Sequence, residues 1–387
     1  MRRLFRCPAC GQSGIIGSAD FVRCGCKAKY RSEELLPHVQ EIHDEERRID
    51  LPCSHRGEIV YRVDCGCDGD ANVYGCEING RCLVRQLIQS RWQGVVCDGC
   101  KSRRHPVEDL AIVTTHFNPA NFQRLRDTYQ QWIKTMPPGV VTIELAGSDP
   151  DIPEAIHLYG GHDAIMWQKE RLINHAVTLL KPSVKYVAWV DHDLVFVRGD
   201  WAQAGVEAIL SGLDCVQLFD RVDYLDRDGN AASHQPGAVA EIQAGRGPSG
   251  APGGAWIASR QWLESIGGLY DRNILGGGDA TFLQAVTGAA TSFVERQAPR
   301  LRDDCLRYVE RVDGAKFGHI SGAVKHLWHG DRSNRQYISR DEILCRWDFD
   351  PETMIEHDGG AWRWTDAAPA GLRIETANYF ANRRDDG

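Results

Sequence analysis

The amino-acid sequence predicts an α/β fold, a mixed sheet with helices on both faces, preceded by small zinc-ribbon-like modules. Three observations carry this. Beyond residue 106, short apolar runs fit for buried strands alternate with segments of helical periodicity. One such run, Val187-Ala188-Trp189-Val190, delivers two carboxylates at its end, Asp191 and Asp193. Eleven of the 14 cysteines fall within the first 100 residues, mostly as close pairs.

A chain of 387 residues has room for two or three domains. The expected division is a zinc ribbon with a linker helix over 1–50, a second cysteine-rich module over 51–106, an α/β domain over 107–345, and a C-terminal tail over 346–387 that packs back on it. Hydrophobic content of 42% and charged content of 25% are those of an ordinary soluble protein. No window approaches 18 uninterrupted apolar residues, and Met1 to Arg6 runs into Cys7 without an apolar signal core, so no membrane partner and a cytoplasmic location are expected. The net charge of −8 speaks against a broad nucleic-acid-binding stripe. Its distribution is 17 basic against 15 acidic residues up to 108, and 28 against 38 beyond. The one concentrated positive group is Arg2, Arg3, Arg6, Arg23, Lys27, Lys29 and Arg31.

In the first module Cys7 with Cys10 and Cys24 with Cys26 have the two-knuckle spacing of a zinc ribbon. Glu33 to Ile49 is polar, charged and expected to be helical. The second module offers Cys53, Cys65, Cys67, Cys76, Cys82, Cys97 and Cys100 together with His55, with short strands expected at Glu58–Val63 and Val73–Cys76. Two thiolates on one tight turn can point at the same ion, and cytosolic disulfides are disfavoured, so these cysteines predict two to three structural Zn²⁺ ions. Isolated Cys215, Cys305 and Cys345 read as packed apolar residues.

In the α/β domain, Leu110–Thr114 reads as a strand buried on both faces, followed by a turn at Thr115–Pro119, a helix from Ala120 to Lys134 and a second strand at Val140–Leu145. Met166 to Val177 is a helix, terminated by Lys181-Pro182, and alternation continues to Phe196. Asp226–Gly254, rich in Gly, Ala, Pro and Ser, reads either as a mobile lid or as surface filler. Gly276-Gly277-Gly278 leads through Asp279 into a helix from Ala280 to Val286. Phe349, Trp362, Trp364, Tyr379 and Phe380 supply the apolar anchors of the tail. A doubly wound sheet binds its ligands at the carboxyl ends of strands.

Chemistry concentrates in three places. Asp191 and Asp193, one residue apart on a strand, share a face, and two carboxylates there repel unless a cation such as Mg²⁺ or Mn²⁺ lies between them. Asp279 sits where glycines let the chain approach a ligand and where a helix begins, as a general base or as a helix cap. His326 and His329 follow in His326-Leu327-Trp328-His329-Gly330. Lys169, Arg171 and Asn174 on the helix before the acidic pair can touch a donor phosphate or sugar, though a solvated face explains Lys169 and Glu170 equally well. Trp256 and Trp328 can stack on sugar rings or serve the core.

This ordered set resembles the nucleotide-sugar transferases of the GT-A fold, in particular the galactosyltransferase and N-acetylgalactosaminyltransferase branch, over roughly residues 109 to 345. The resemblance implies a Rossmann-like GT-A sheet and a metal-dependent glycosyltransferase using a UDP-sugar with Mn²⁺ or Mg²⁺. It implies Asp193 as metal ligand, Asp191 on metal or ribose, a third ligand from His329 in preference to His326, and Asp279 as the base of an inverting transfer. Thr115, Phe117 and Asn118 would then meet the base and ribose, and Arg332 and Arg335 the diphosphate oxygens. The cysteine-rich modules resemble those carried by proteins of bacterial viruses. That implies a hydroxymethylated pyrimidine in DNA as acceptor, reached in the bacterial host cytoplasm, with a saccharide or protein acceptor as the rival. A reading from another class is a non-catalytic binding protein whose zinc modules recognise a partner on a degenerate transferase scaffold.

Overall fold

The computed structural model describes residues 109–387 except residue 338, and before them only the backbone of seven short strands. The chain divides into two compact units, 1–104 and 105–387. In the first, Arg2–Arg6 pairs antiparallel with Ser13–Ile16 on one side and Val39–Ile42 on the other. Phe21–Arg23 with Lys29–Arg31, and Glu77–Ile78 with Arg81–Cys82, are antiparallel pairs. Val39–Ile42 corrects the helix expected across Glu33 to Ile49, because cross-strand pairing overrides a polar segment's weak helical preference. The expected zinc ligands Cys7, Cys10, Cys24, Cys26, Cys53, Cys65, Cys67, Cys76, Cys97 and Cys100 lie outside the described residues, as does the side chain of Cys82. So do the strands expected at Glu58–Val63 and Val73–Cys76.

The second unit begins with β1 (Leu110–Phe117), α1 (Gln123–Ile133), β2 (Val141–Ala146), β3 (Ile156–Tyr159) and α2 (Lys169–Leu179). It continues with β4 (Tyr186–Val190), β5 (Leu194–Phe196), α3 (Trp201–Leu210), β6 (Cys215–Gln217), β7 (Arg221–Leu225), β8 (Ala231–Pro236) and α4 (Ala238–Gln243). Then come β9 (Ala255–Ser259), α5 (Arg260–Ser265), α6 (Gly278–Thr287), α7 (Ser292–Glu295), α8 (Pro299–Val312), β10 (Phe317–His319) and β11 (Ala323–His326). It closes with α9 (Ser339–Arg346), β12 (Ile355–Glu356), β13 (Arg363–Trp364) and α10 (Ala370–Asn382).

The main sheet has the order β3-β2-β1-β4-β9-β6-β10, parallel except for β9, which runs against both neighbours. A smaller sheet, β5-β11-β7-β8, lies beyond the end of β4. The mixed α/β sheet predicted from the sequence is therefore present. Alternating strand residues feed two cores. Val113, Val187, Trp189 and Trp256 pack with α2, α6 and α8 on one face, while Ile112, Ala188, Val190 and Ile257 pack with α1 and α3 on the other. The apolar stripe of α1, Leu125, Tyr129 and Trp132, recurs at helical spacing for that reason. Residues Phe349, Trp362, Trp364, Tyr379 and Phe380 are buried in the first of these cores.

The strand order turns outward from β1 in one direction and from β4 in the other, which makes their carboxyl ends the switch point where open α/β sheets bind ligands. Three expectations need correction here. β1 continues to Phe117, paired with β2, so Thr115 and Phe117 are strand residues and not a turn. Asp226–Gly254 is not an uneventful loop: it contains β8, paired with β7, and α4. Cys215 and Cys305 are buried, but Cys345 is exposed on α9. Among the described residues no helix is long and apolar enough to cross a membrane.

Candidate active site

A tight turn joins β4 to β5. The Leu194 amide donates to the Asp191 carbonyl at 3.1 Å and the Asp191 amide to the Gly254 carbonyl at 2.7 Å, so the chain turns and does not run on extended. Asp191 and Asp193 leave this turn in different company, which corrects the expectation that both face one ion. His192 between them packs near His116 and Tyr129, with ring centroids 5.2 and 5.8 Å away. Burial pushes its imidazole down to about 3.

Asp193 is fixed to the smaller sheet. Its carbonyl accepts from the Leu327 amide at 2.7 Å, and its neighbour Leu194 stands in register with His326 on β11. Asp193 Oδ2 lies 2.8 Å from His329 Nε2 and 3.4 Å from His326 Nε2, and the two imidazoles stack with their planes 11° apart. One carboxylate oxygen and two ring nitrogens, all within 4.8 Å of one another, fit a divalent ion that accepts mixed oxygen and nitrogen ligands, manganese better than magnesium. Asp191 is not part of this group. Burial opposes the charge on Asp193, but His326, His329 and Arg335 outweigh it and hold the carboxyl well below its ordinary range. Burial pushes His326 down to about 4, into the neutral form that ligates metals. Asp385 Oδ1 stands 3.5 Å from His329 Nδ1, an arrangement that favours the proton there and leaves Nε2 as the ligand atom. Arg335 Nη2 donates to the same Nε2 at 2.7 Å, a hydrogen bond that an ion bound there would replace.

Asp191 is instead tied to Asp279 through Lys169, the first residue of α2. Lys169 Nζ is 2.8 Å from Asp191 Oδ1 and 2.9 Å from Asp279 Oδ2. The lysine is only 9% exposed, so it belongs to the site and not to a solvated helix face. Burial disfavours its charge, yet Asp191 and Asp279 raise it well above the ordinary lysine range. Burial lifts Asp191 to about 7 and the neighbouring Glu170 to about 8. Glu170 accepts from Trp167 Nε1 at 3.0 Å through Oε2, while its Oε1 has no hydrogen-bond partner among the described residues. Asp279 lies in the first turn of α6, where the helix end favours a carboxylate. Its carboxyl rests on Gly253, at which a Cβ would stand 2.1 Å from Oδ2. Any side chain there would displace it.

A cavity of about 450 Å³ opens between these groups, and Thr115, Phe117, Asp191, Asp193, Asp279, His326, His329 and Arg332 all line it. Asn118 lines it too, but Oδ1 accepts from the Phe122 amide at 2.8 Å and Nδ2 donates to Asp151 Oδ2 at 2.8 Å, so it shapes the loop after β1. Arg332 lies over the Tyr224 ring at 4.2 Å. The cavity lining does not include Arg171 or Asn174, which corrects their expected donor contact. Residues two and five positions after Lys169 are rotated about 200° and 140° around α2. Arg171 there donates to the Gly360 and Gly359 carbonyls, and Asn174 brackets Leu269 through its amide and carbonyl. Trp256 is fully buried against Phe282, and Trp328 is covered by Arg124 and Arg227. A second cluster, His116, Glu144 and Asp151, is not free to take an ion. Glu144 accepts the Asp151 and Ile152 amides, and Asp151 accepts from Arg126 and Asn118.

Sequence reasoning missed the buried bridge of Lys169, the burial of Glu170 and the part played by Asp385. The pairing of Lys169 with Glu170 on a helix was the available signal, and it pointed to solvent. No family model and no curated protein matches the sequence. Similar solved structures include glucosyl-3-phosphoglycerate synthase from Mycobacterium tuberculosis with Mn²⁺ and UDP-glucose, at 13% identity over 61% of this chain and 77% of that one, with a TM-score of 0.33. Another is the catalytic domain of Drosophila β1,4-galactosyltransferase 7 with xylobiose, at 12% identity over 60% of this chain and 79% of that one, with a TM-score of 0.30. Likenesses of this size carry no weight for what this chain does.

Proposed function

We propose that this chain is a metal-dependent glycosyltransferase that moves a sugar from a UDP-sugar to a hydroxyl acceptor with inversion. The observation that supports it most is the meeting of Asp193, His326 and His329 with Asp279 in one cavity at the switch point of an open α/β sheet. A divalent ion held by the first three would neutralise charge on a departing diphosphate. Arg332 and Arg335, beside the histidines, supply guanidinium groups for the same oxygens. Asp279 accepts the proton of the acceptor hydroxyl as that oxygen bonds to the sugar carbon and the bond to diphosphate breaks. Lys169 is a positioning residue: it fixes where the Asp279 carboxylate points. Thr115 and Phe117, at the end of β1, line the cavity and would meet the nucleoside.

For the acceptor we favour a hydroxymethylated pyrimidine in DNA, on the strength of the positive group in the first 31 residues and its cysteine pairs. Incubating the protein with a panel of UDP-sugars and Mn²⁺, and with hydroxymethylated DNA, plain DNA or glycans, tests both levels. Transfer of labelled sugar to modified DNA alone supports the full reading. Transfer to glycans alone removes the DNA acceptor, and neither transfer nor UDP binding removes the enzyme.

A further inference from the structure

Close to Asp279 stand two more cations for which the transfer chemistry has no use. Arg340, on α9, is 7% exposed and lines the cavity. Its guanidinium lies against Gly276, three residues before Asp279, where a Cβ would stand 3.1 Å from Nη1. Gly276 also has φ of +91°, so both its backbone and the closeness of the arginine call for glycine. Arg340 Nη1 donates to the Tyr379 hydroxyl at 3.1 Å, and Nε, buried, has no hydrogen-bond partner among the described residues. The nearest carboxylate oxygen, Asp341 Oδ1, is 4.0 Å from Nε. Arg296, which ends α7, lines the same cavity and is 3.4 Å from Asp341 Oδ2. Two guanidinium groups thus share one buried carboxylate through long contacts. Burial pushes the carboxyl of Asp341 up, against the lowering influence of Arg340 and Arg296.

The Arg340 guanidinium stays charged when buried, and a buried charge short of partners is costly, whereas Arg296, with 38% of its side chain exposed and donating to Ser292 Oγ at 3.0 Å, is only partly covered. An anion entering here would gain charge-assisted hydrogen bonds from both arginines. One guanidinium fork already satisfies the two oxygens of a carboxylate, whereas a phosphate has oxygens enough for two forks. With the diphosphate of the donor assigned to Arg332, Arg335 and the histidines, Arg296 and Arg340, the latter against Gly276, are left for the other substrate. Tyr337, with Arg340 over its ring at 5.1 Å and its hydroxyl accepting from Arg335 at 3.3 Å, joins the two groups. We infer that Arg296 and Arg340 form an acceptor subsite for a phosphate group, and that the hydroxyl compound glycosylated here carries phosphate near its reacting hydroxyl. The inference rests on the glycosyltransferase reading. A small phosphate monoester offers three free oxygens to the two forks and a DNA phosphodiester only two, so the two sources share the anion but differ in how fully they engage both arginines.

Calorimetric titration of the full chain with glycerol 3-phosphate, a short single-stranded DNA oligomer and glycerol, each without and with saturating UDP and Mn²⁺, tests it. The expected result is that a phosphate-bearing probe binds, glycerol does not, and UDP leaves that binding in place. Arg296→Gln and Arg340→Gln should each weaken it by at least about tenfold, the scale of a lost charge-assisted contact, with UDP affinity unchanged. Arg340→Lys, which keeps the charge, should recover part of it and separates the site from a folding defect. The tighter of the two phosphate probes identifies the source. Absence of phosphate binding, binding that survives both substitutions, or displacement by UDP overturns the subsite. Arginine-dependent phosphate binding in a protein that ignores UDP and Mn²⁺ would leave the anion site standing and remove the transferase reading.

Discussion

Replacing Lys169 with methionine keeps the length and volume of the side chain and removes its charge from between two carboxylates. At contacts of 2.8 and 2.9 Å, each pair has a gross attraction of roughly 6 kcal/mol at an effective dielectric of about 20. Desolvation of the three ions takes back most of that. What remains in the variant is the penalty of two carboxyl groups without their cation, which Asp191, lifted to about 7 by burial even beside the lysine, meets in part by taking up a proton. Fully buried, this would be about 3–5 kcal/mol, but the side chains of Asp191 and Asp279 are 31% and 26% exposed, and water lowers it to about 2–3 kcal/mol. For a unit of this size that is a fall in Tm of roughly 3–5 °C. Urea unfolding followed by tryptophan fluorescence reads this directly, since every tryptophan but Trp92 lies beyond residue 105. Adding Asp279→Asn to Lys169→Met should return about 1 kcal/mol, because it removes one of the stranded charges. A Lys169→Met protein within about 0.5 kcal/mol of the parent, or no recovery in the double variant, would refute the bridging role.

Four further outcomes are expected. Asp193→Ala should abolish Mn²⁺-dependent UDP binding in calorimetry while the far-UV spectrum stays unchanged, because it deletes the one carboxylate of the ligand group. Asp279→Asn should lower turnover at least about a hundredfold with UDP-sugar affinity little changed, since Asn keeps the shape but accepts no proton. Near-normal turnover would reduce Asp279 to a helix cap. Glu170, lifted by burial to about 8 from the ordinary 4.5, stays protonated in the native state while the unfolded chain ionises, so its contribution to stability falls as pH rises from about 4.5 to 8. Glu170→Gln should therefore raise Tm at pH 8.5 and change it little at pH 4.5; equal effects at both would rule this out. Elemental analysis should find about two to three zinc ions that survive mild EDTA treatment, by thiolate counting; cysteines of the first unit paired as disulfides would contradict it.

What the sequence disclosed was local. The run Val187–Val190 is a strand because its residues are apolar on both faces, and the helix beginning near Lys169 shows its stripe in Leu172, Ile173 and Ala176. The convergence of Asp193 with His326 and His329 was legible through the resemblance of motifs, though not its geometry. The turn at Asp191–Leu194 depends on the Gly254 carbonyl and on β11, both distant in sequence. Lys169 and Glu170 have the polarity of a solvated face, but Asp191 and Asp279 lie against the lysine and Gly278 against the glutamate, all distant in sequence. Arg171 and Asn174 share a helix with Lys169 but not its face. Nothing near His329 in the sequence points to Asp385, 56 residues further on.

That last contact bears on how the protein comes into being. Asp385 steadies His329, and Asp386 accepts the Gln123 and Arg124 amides at the start of α1, so residues made late complete what residues made early began. About 190 residues separate Asp193 from Asp385, and at roughly 5–20 residues per second a ribosome needs on the order of 10–40 s to supply them. During that interval Asp193 is already made while the carboxylate that orients His329 does not yet exist. The setting of His329 is therefore finished only once Asp385 has been made, however early Asp193 itself emerges.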